Sequence, residues 1–319
     1  MAKFNFAQVS RYLATEFWDR VPTAPIFTHP VVLSRLSPGC EWWLTSQGDE
    51  PLCMWTVALD SAGEPHFAPF TYYVGPVWAP GATNRPASHI RSHSHAVYDV
   101  MIDRLLHHYG KIRAELQPTD LDVRPFSWWN YGREPDERFG IEARYSARLG
   151  PLDDFDDDQL LAGMRAVRRR EIRRLLGQGG LSRSVCESPE VLQGAYQAVL
   201  EQQGLVVESR TLDSIEALWQ LTQMGFGRAL SWSSSADEPP SNFTLLLDDR
   251  TSAHLVLKLT TPEPGADTHS AFSVFDAIRA TRDESLRFFD FNGANSPKRG
   301  DDKHSYGAGP VLFFQVSFG

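Results

Sequence analysis

The chain carries at residues 288–300 the sequence FFDFNGANSPKRG, and KHSYG follows at residues 303–307. An apolar strand is therefore expected to end on a carboxylate, Asp290, and to open into a turn rich in Asn, Gly and Pro before a basic patch. Strand ends of this kind often form the sites of α/β proteins, because backbone groups are free there and side chains converge. We therefore expect this segment to be part of a functional site.

Length and composition limit the class of protein. A chain of 319 residues exceeds the usual size of one domain, so two domains, or one large one, are expected. The net charge of −9 argues against general nucleic-acid binding, although it allows local basic patches. Cys40, Cys53 and Cys186 are too few for a disulfide framework and fit a reducing compartment. Residues 1–20 do not read as a signal peptide, and no apolar run would span a bilayer, so we expect a cytoplasmic protein.

The order of apolar runs predicts a mixed fold. In the first half we expect strands at 41–45, 54–59 and 143–149 and a helix at about 92–109. In the second half we expect helices at 157–177, 189–203, 211–225 and 270–284, and strands at 228–234, 243–248, 253–260, 286–291 and 310–318. This pattern predicts an α+β fold with an α/β-type mixed sheet, in two domains covering residues 1–150 and 151–319.

An acidic run at residues 153–158 begins the second half. Such a run is a candidate cation site, but it lacks the Gly and the terminal Glu of a calcium loop. Carboxylates also cap the positive end of a following helix, and this interpretation is preferred.

The helix expected at 157–177 has an apolar arc that runs from Leu160 to Leu176 and a basic arc opposite. The basic arc contains Arg169, Arg170, Arg173 and Arg174. Arginines in this arrangement can bind phosphates through forked, charge-assisted hydrogen bonds. The same arrangement is also common on solvated helix faces, and the two interpretations weigh about equally. Both interpretations stay open from the sequence, with a slight preference for anion binding.

Other motifs give weaker signals. His89 and His93 are one helical turn apart, but no nearby Glu or Cys set completes a metal site, so a polar helix start is preferred. The rings of residues 128–131 suit either a substrate wall or the core. The sequence lacks a dinucleotide-binding Gly motif, a phosphate loop and a serine-hydrolase elbow, which argues against hydride transfer, kinase and serine-hydrolase chemistry.

Three segments together resemble the FemABX-type members of the GNAT superfamily, which are acyl- or aminoacyltransferases built from two tandem GNAT-like domains. The first is PFTYYVGP at residues 69–76, and the second is the order from Trp128 through Arg144-Tyr145 to the basic helix RRREIRR at 168–174. The third is FDFNG at 289–293 with KHSYG at 303–307. The chain departs from the family at Asp302, where a Phe is usual, and at Tyr306, which replaces a Phe.

The resemblance implies that an amine or hydroxyl acceptor attacks an activated acyl donor, either an acyl-CoA thioester or an aminoacyl-tRNA ester. Lys303 matches the family lysine near the activated ester and would stabilise the oxyanion. Asp290 would receive the acceptor's proton or orient its ammonium group; alternatively, it ties down the turn. These two residues are the catalytic candidates.

The resemblance also implies binding residues and partners. Arg169, Arg170 and Arg173 would bind the donor phosphates, with the compact acyl-CoA slightly preferred over tRNA. The candidate substrate contacts are Tyr73, Trp129, Tyr131, Asn292, Asn295, Arg299 and Tyr306. The expected partner is a small-molecule or peptide acceptor, with tRNA as a further candidate, and neither a metal nor a tightly bound cofactor is expected. The alternative function is a non-catalytic GNAT-like module that binds a peptide or glycan.

Overall fold

A computed structural model of the chain describes residues 4–82, 87–262 and 265–319. By its internal contacts the chain divides into two compact units. The first unit comprises Met1–Arg144 and Leu312–Gly319, and the second comprises Tyr145–Val311. Both contain helices and strands, as expected for an α+β protein. The assignment of domains to residues 1–150 and 151–319 stays a prediction.

The first unit contains a four-stranded sheet in the order β1-β2-β3-β4, with antiparallel neighbours. Its elements are β1 (Phe4–Val9), α1 (Arg11–Asp19), α2 (Pro30–Leu36), β2 (Glu41–Gln47), β3 (Glu50–Val57), β4 (Pro76–Trp78), α3 (Ala87–Tyr109), β5 (Ile112–Glu115) and α4 (Arg124–Ser127). Side chains of α3 such as Val97, Met101 and Leu105 recur every three to four residues and are buried with Trp55 of β3. One apolar stripe therefore joins the long helix to the sheet.

Strand β6 (Gly140–Leu149) carries the chain from the first unit into the second. The second unit then contains α5 (Asp157–Gly163), α6 (Ala166–Gly177), β7 (Ser182–Val185), α7 (Pro189–Gln202), α8 (Ser209–Gln223), β8 (Gly227–Ser233), β9 (Asn242–Asp248), β10 (Ser252–Thr260), α9 (Ala266–Asp283), β11 (Phe288–Asp290) and α10 (Pro297–His304). The last element is β12 (Gly309–Phe318).

The strands of the second unit follow the order β6-β11-β10-β9-β8-β7. The β10–β11 pair is parallel, whereas β6–β11, β9–β10, β8–β9 and β7–β8 are antiparallel. Helix α9 packs on β9 and β10, and its buried Phe275 and Ile278 join the apolar core of this unit. Strand β9 is buried along nearly its whole length, which is why Leu245, Leu246 and Leu247 follow one another without polar residues between them.

The C-terminal half of β12 belongs to the first unit, where it pairs antiparallel with β5. Gln315 lies opposite Glu115, and Phe318 lies opposite Ile112. The first unit is therefore assembled from two stretches of sequence that are separated by the entire second unit.

The prediction of one helix at 157–177 is wrong in one respect, since the chain forms two helices there, α5 and α6. Met164 and Arg165 have extended backbones between them, and the Arg165 N–H donates to the carbonyl of Ser305 at 2.9 Å instead of continuing the helix. Met164 nevertheless stays buried, so the apolar pattern runs across the break. At the start of α5, Asp156 and Gln159 form a capping box, which is the capping role expected for the acidic run.

Candidate active site

The candidate site begins where β11 ends. Phe289 and Asp290 are completely buried between β10 and β6, and the chain then turns at Asn292, whose φ is 54°. Asn is among the residues that adopt this left-handed conformation most readily. The turn leads into α10, an eight-residue helix that begins at Pro297, a position where the missing N–H of proline costs no helical hydrogen bond.

Asp290 is bonded through both of its carboxylate oxygens. Its Oδ1 accepts from the Ser146 hydroxyl and, at 2.8 Å, from the backbone N–H of Asn292. Its Oδ2 accepts from Nε and Nη2 of Arg148 at 3.1 and 2.9 Å. Burial raises the pKa of Asp290, but the charges of Arg148 and His254 and the hydrogen bonds from Ser146 and Asn292 outweigh it, so the pKa lies below its usual value.

These contacts bear on the role of Asp290. The side chain has no exposed surface, and its bonds to Ser146, Arg148 and Asn292 fix β6 and the turn. Of the two roles expected from the sequence, the geometry favours the one in which Asp290 ties down the turn. A role in taking the acceptor's proton stays an untested prediction.

His254 of β10 and Asp249 hold the turn from its other side. The His254 Nε2 lies 2.8 Å from Oδ2 of Asp249, and its Nδ1 lies 3.2 Å from Oδ1 of Asn292. The Asn292 side-chain nitrogen donates to the carbonyl of Leu255 at 3.1 Å, so its oxygen is the atom that faces the imidazole. Burial lowers the pKa of His254, but the hydrogen bond and the charge of Asp249, with the charge of Asp290, raise it above its usual value overall.

Lys303 projects from α10 onto the same turn. Its ammonium nitrogen donates to the backbone carbonyls of Asn292 and Gly293, both at 2.6 Å. An ammonium has three N–H donors, and no described residue accepts the third. Burial lowers the pKa of Lys303 to about 8, while the charges of Asp290 and Arg299 act on it in opposite directions. The half-buried cation is thus fixed at the strand end with one donor left over.

Tyr306 lies beneath a pair of cations. Its ring stacks on Phe291 with centroids 5.6 Å apart, and the Arg168 guanidinium and Lys258 ammonium lie 5.2 and 5.7 Å from its centroid. Burial raises the pKa of Tyr306, and its hydroxyl makes no hydrogen bond to any described residue. Asp302 pairs with both cations, so the residue that departs from the family pattern joins α6, β10 and α10.

The structure places the other predicted residues of this segment differently. Asn295 is exposed, and its side-chain oxygen accepts from the backbone N–H of Tyr145 at 2.6 Å. Arg299 is exposed on α10, where its charge contributes to the lowered pKa of Lys303. Asn292 is completely buried, so its side chain holds the turn and has no surface that a substrate could contact.

The arginine helix α6 has two kinds of arginine. Arg168 is partly buried and bonds Ser305, Asp302 and Glu171. Arg170 and Arg173 are exposed, and Arg169 is half-buried with a bond from Nη1 to the carbonyl of Ala162 at 3.1 Å. Arg168 therefore supports the fold, whereas most N–H donors of Arg169, Arg170 and Arg173 make no bond to a described residue.

Three of the substrate candidates lie in the first unit. Tyr73 is only 1% exposed, and its ring packs edge-on to Phe313 at 5.0 Å, so the ring lies in the core and its contact with substrate stays a prediction. Trp129 is half-buried, and Tyr131 is 80% exposed. Both follow the short helix α4 and do not lie on a strand.

Several contacts of the turn were missed from the sequence. Ser146, Arg148, Asp249 and His254 lie on or beside strands far from residues 288–307, and only the sheet register brings them together. Only His254 had a signal in the sequence, a weak one, because a histidine stands among the apolar residues of β10. Among the described residues, no group of three or more His, Cys, Asp or Glu side chains is placed to hold a metal ion. His93 lies in α3, edge-on to Phe4.

Known structures resemble the chain over nearly its whole length. FemX superposes with a TM-score of 0.66 at 11% identity, covering 97% of this chain and 96% of that chain. The C-terminal domain of a putative lysylphosphatidylglycerol synthetase from Agrobacterium fabrum gives 0.54 at 11% identity, covering 97% and 92%. A tandem GNAT protein from the clavulanic acid biosynthesis pathway gives 0.51 at 14% identity, covering 99% and 98%. No family model and no curated protein matches the sequence.

These similarities establish the fold. The chain has the α+β fold of the FemABX-type GNAT superfamily proteins, with tandem GNAT-like domains, and the resemblance seen in the sequence is confirmed at the level of fold. Within residues 4–82, 87–262 and 265–319, no helix is both long and apolar enough to cross a membrane.

Proposed function

We propose that this protein is an acyltransferase whose electrostatic catalyst is Lys303. The observation that carries the proposal is the Lys303 ammonium, fixed by the carbonyls of Asn292 and Gly293 with one N–H left over. A cation that is already oriented stabilises a developing oxyanion without a reorganisation cost during the reaction. The fold shared with GNAT proteins supports this function.

In the proposed reaction the acceptor nitrogen or oxygen attacks the acyl carbonyl carbon. The new C–N or C–O bond forms as the carbonyl electrons move onto oxygen, where Lys303 would donate its third N–H. The C–S bond of a thioester, or the C–O bond of an aminoacyl ester, then breaks. The leaving group departs as a thiolate or alkoxide and takes up the proton that the acceptor has lost. Positioning supplies most of the remaining rate increase.

For the donor we propose a phosphate-bearing acyl carrier bound by Arg169, Arg170 and Arg173 of α6. All three are exposed or half-buried on one helix, and forked guanidinium groups suit phosphate oxygens. One structural neighbour is described by reference to AcCoA, which supports an acyl-CoA donor. We favour acyl-CoA because the net charge of −9 disfavours a large tRNA footprint.

We also propose a cytoplasmic location and a small-molecule or peptide acceptor.

The first experiment is a thermal-shift titration with CoA, acetyl-CoA and longer acyl-CoAs, with charged tRNA in a parallel binding assay. A ligand that binds only the folded state raises the melting temperature. With the donor that binds, Lys303→Met should lower kcat/KM by about 10²- to 10³-fold, a loss typical of a removed oxyanion donor. Lys298→Ala, on the exposed side of the same helix, is the matched control and should keep full activity. Full activity in Lys303→Met would show that Lys303 only holds the turn.

A second function, peptide or glycan binding without catalysis, is favoured by the exposed rings of Trp128 and Tyr131, which are 55% and 80% accessible. Paired alanine substitutions at these two positions discriminate between the functions. They would abolish glycan or peptide binding in a binding module, and they would leave donor binding in an acyltransferase unchanged.

A further inference from the structure

A cavity of about 580 Å³ lies within the first unit, whereas the residues of the proposed catalytic site belong to the second unit. Its walls come from the end of β4, from α3 and from the segment that follows β5, and they include Trp78, Tyr98, Thr119, Asp120 and Asp122. The volume falls within the range of small-molecule sites, about 300–1,000 Å³. The cavity is therefore large enough for a ligand of modest size.

The two carboxylates of the cavity differ in their partners. Asp122 accepts from Nε and Nη2 of Arg124 and lies 3.3 Å from Nε2 of His95, so its charge is compensated. Asp120 has no cationic partner among the described residues. Its Oδ2 accepts from the Trp78 indole N–H at 3.1 Å and from the Tyr98 hydroxyl, which are both neutral donors. Its Oδ1 accepts no hydrogen bond from the described part of the chain.

An uncompensated carboxylate in a partly closed cavity is costly, because burial removes the water that would stabilise its charge. Burial accordingly raises the pKa of Asp120, although the hydrogen bonds from Tyr98 and Trp78 act in the opposite direction. A bound cation would supply the cationic partner that no described residue offers to Asp120. Phosphate-bearing ligands would be repelled by the same charge, and the described residues offer no cluster suited to a metal ion.

Trp78 gives the cavity a second feature that suits an organic cation. Its ring is half-buried, lines the cavity, and packs edge-on to Tyr98 with centroids 5.4 Å apart. The electron-rich face of a tryptophan attracts an ammonium group, and the attraction adds to that of a carboxylate next to it. The Trp78 indole N–H also fixes Asp120 at the wall, so ring and carboxylate are positioned together.

We propose that this cavity of the first unit binds a small organic amine, whose ammonium group pairs with Asp120 and contacts the ring of Trp78. The proposal does not depend on acyl transfer in the second unit. It concerns a ligand with a primary or secondary amine and an apolar or hydroxylated body that fills the remaining volume.

The test uses the full chain and isothermal titration calorimetry with matched pairs of probes: phenethylamine with phenethyl alcohol, and glucosamine with glucose. Each pair exchanges an ammonium for a hydroxyl at nearly constant size. At least one amine should bind about tenfold more tightly than its hydroxyl partner. Equal binding of amine and alcohol in both pairs would overturn the proposal.

Substitutions in the cavity wall test whether the amine binds in this cavity. Asp120→Asn should weaken amine binding at least about tenfold, whereas Asp103→Asn, the same charge change at an exposed position of α3 outside the cavity, should not. Thr119→Lys, at an exposed position of the cavity wall, supplies an internal cation and should also weaken binding, which covers the case of an unstable Asp120→Asn. Unchanged amine binding in folded Asp120→Asn, or in Thr119→Lys where only that variant folds, would refute the site.

Discussion

The imidazole Nε2 of His254 lies 2.8 Å from the carboxylate Oδ2 of Asp249, and both side chains are buried. The other ring nitrogen faces the side-chain oxygen of Asn292 at 3.2 Å. Because both neighbours are acceptors, each ring nitrogen has to donate a proton, which is the state of an imidazolium. The turn to which Lys303 donates is therefore supported by a buried ion pair within the second unit.

This ion pair predicts a specific pH dependence of stability. The raised pKa of His254 adds stability that is complete below its ordinary value of about 6.5 and is lost as the pH rises through the raised value. The lowered pKa of Asp249 adds stability above about 3.9 that is lost on acidification. His254→Gln should cost about 3 kcal/mol at pH 6, and the difference from wild type should shrink toward pH 9. Urea unfolding at several pH values measures it.

The exposed His107 provides the control for this experiment, since His107→Gln should leave the stability unchanged across the same pH range. A constant difference between wild type and His254→Gln from pH 6 to 9 would show that His254 is neutral in the folded protein.

The Arg148–Asp290 pair should be far more important for stability than an exposed pair on the same strand. Asp290 is fully buried and Arg148 is 25% exposed, so Asp290→Asn leaves a largely desolvated cation and should cost about 3 kcal/mol. Glu142 pairs with Arg144 on β6 in a solvent-exposed setting, and Glu142→Gln should cost less than about 1 kcal/mol. Equal losses in urea unfolding would argue that solvent screens both pairs alike.

Substitution of two arginines of α6 tests the donor site. Arg169→Ala with Arg173→Ala should raise the apparent KM for the acyl donor about tenfold with less than a twofold change in kcat, because uniform binding is lost. Stability should change by less than about 0.5 kcal/mol, since both side chains lie near the surface. Arg20→Ala with Arg210→Ala removes the same charge at exposed positions elsewhere and should leave KM unchanged. If the unfolding free energy changes but KM does not, the arginines are structural.

Deprotonation of Lys303 should affect the pH dependence of kcat/KM. Its pKa of about 8 predicts that kcat/KM declines on the alkaline side as the ammonium loses its proton. Lys303→Arg keeps the positive charge at every pH tested and should remove this decline, whatever its absolute rate. An alkaline limb that is identical in wild type and Lys303→Arg would assign the ionisation to another group.

Glu115 makes a separate prediction for the first unit. Its carboxylate accepts from the Tyr73 N–H at 2.8 Å and from Gln315 at 3.0 Å, yet burial raises its pKa to about 7. Because the folded-state pKa of Glu115 is raised, the folded protein loses stability as the pH rises from the ordinary pKa of a glutamate to the raised one. The loss amounts to at most about 3 kcal/mol. Glu115→Gln should flatten the stability curve between pH 5 and 8, whereas the exposed Glu134→Gln should follow wild type.

Local patterns predicted much of the fold. The strands expected at 243–248 and 253–260 are observed as Asn242–Asp248 and Ser252–Thr260, because each is rich in apolar residues and is bounded by polar turns. The break between α5 and α6 could not be predicted, since the N–H of Arg165 finds its acceptor at Ser305 while the apolar phase continues. Helix α10 was also not expected, because its eight residues carry little apolar periodicity.

Prediction of the candidate site from the sequence was limited in the same way. The proximity of Asp290, Asn292, Lys303 and Tyr306 was predictable because they lie within one short segment that carries strand, turn and charge signals. Ser146, Arg148 and His254 meet this segment only through strand register, and register depends on how distant strands pair. The buried partners therefore required the structure.

The pairing of β12 with β5 has a consequence for how the protein is made. A ribosome delivers β5 long before β12, and the whole second unit emerges between them. The sheet edge at Ile112–Glu115 therefore waits for Leu312–Gly319 before it can close, and contacts this distant in sequence form slowly. The second unit has all of its own strands by residue 311 and can complete its core first. The first unit can therefore complete its structure only after the last residues of the second unit have been synthesised.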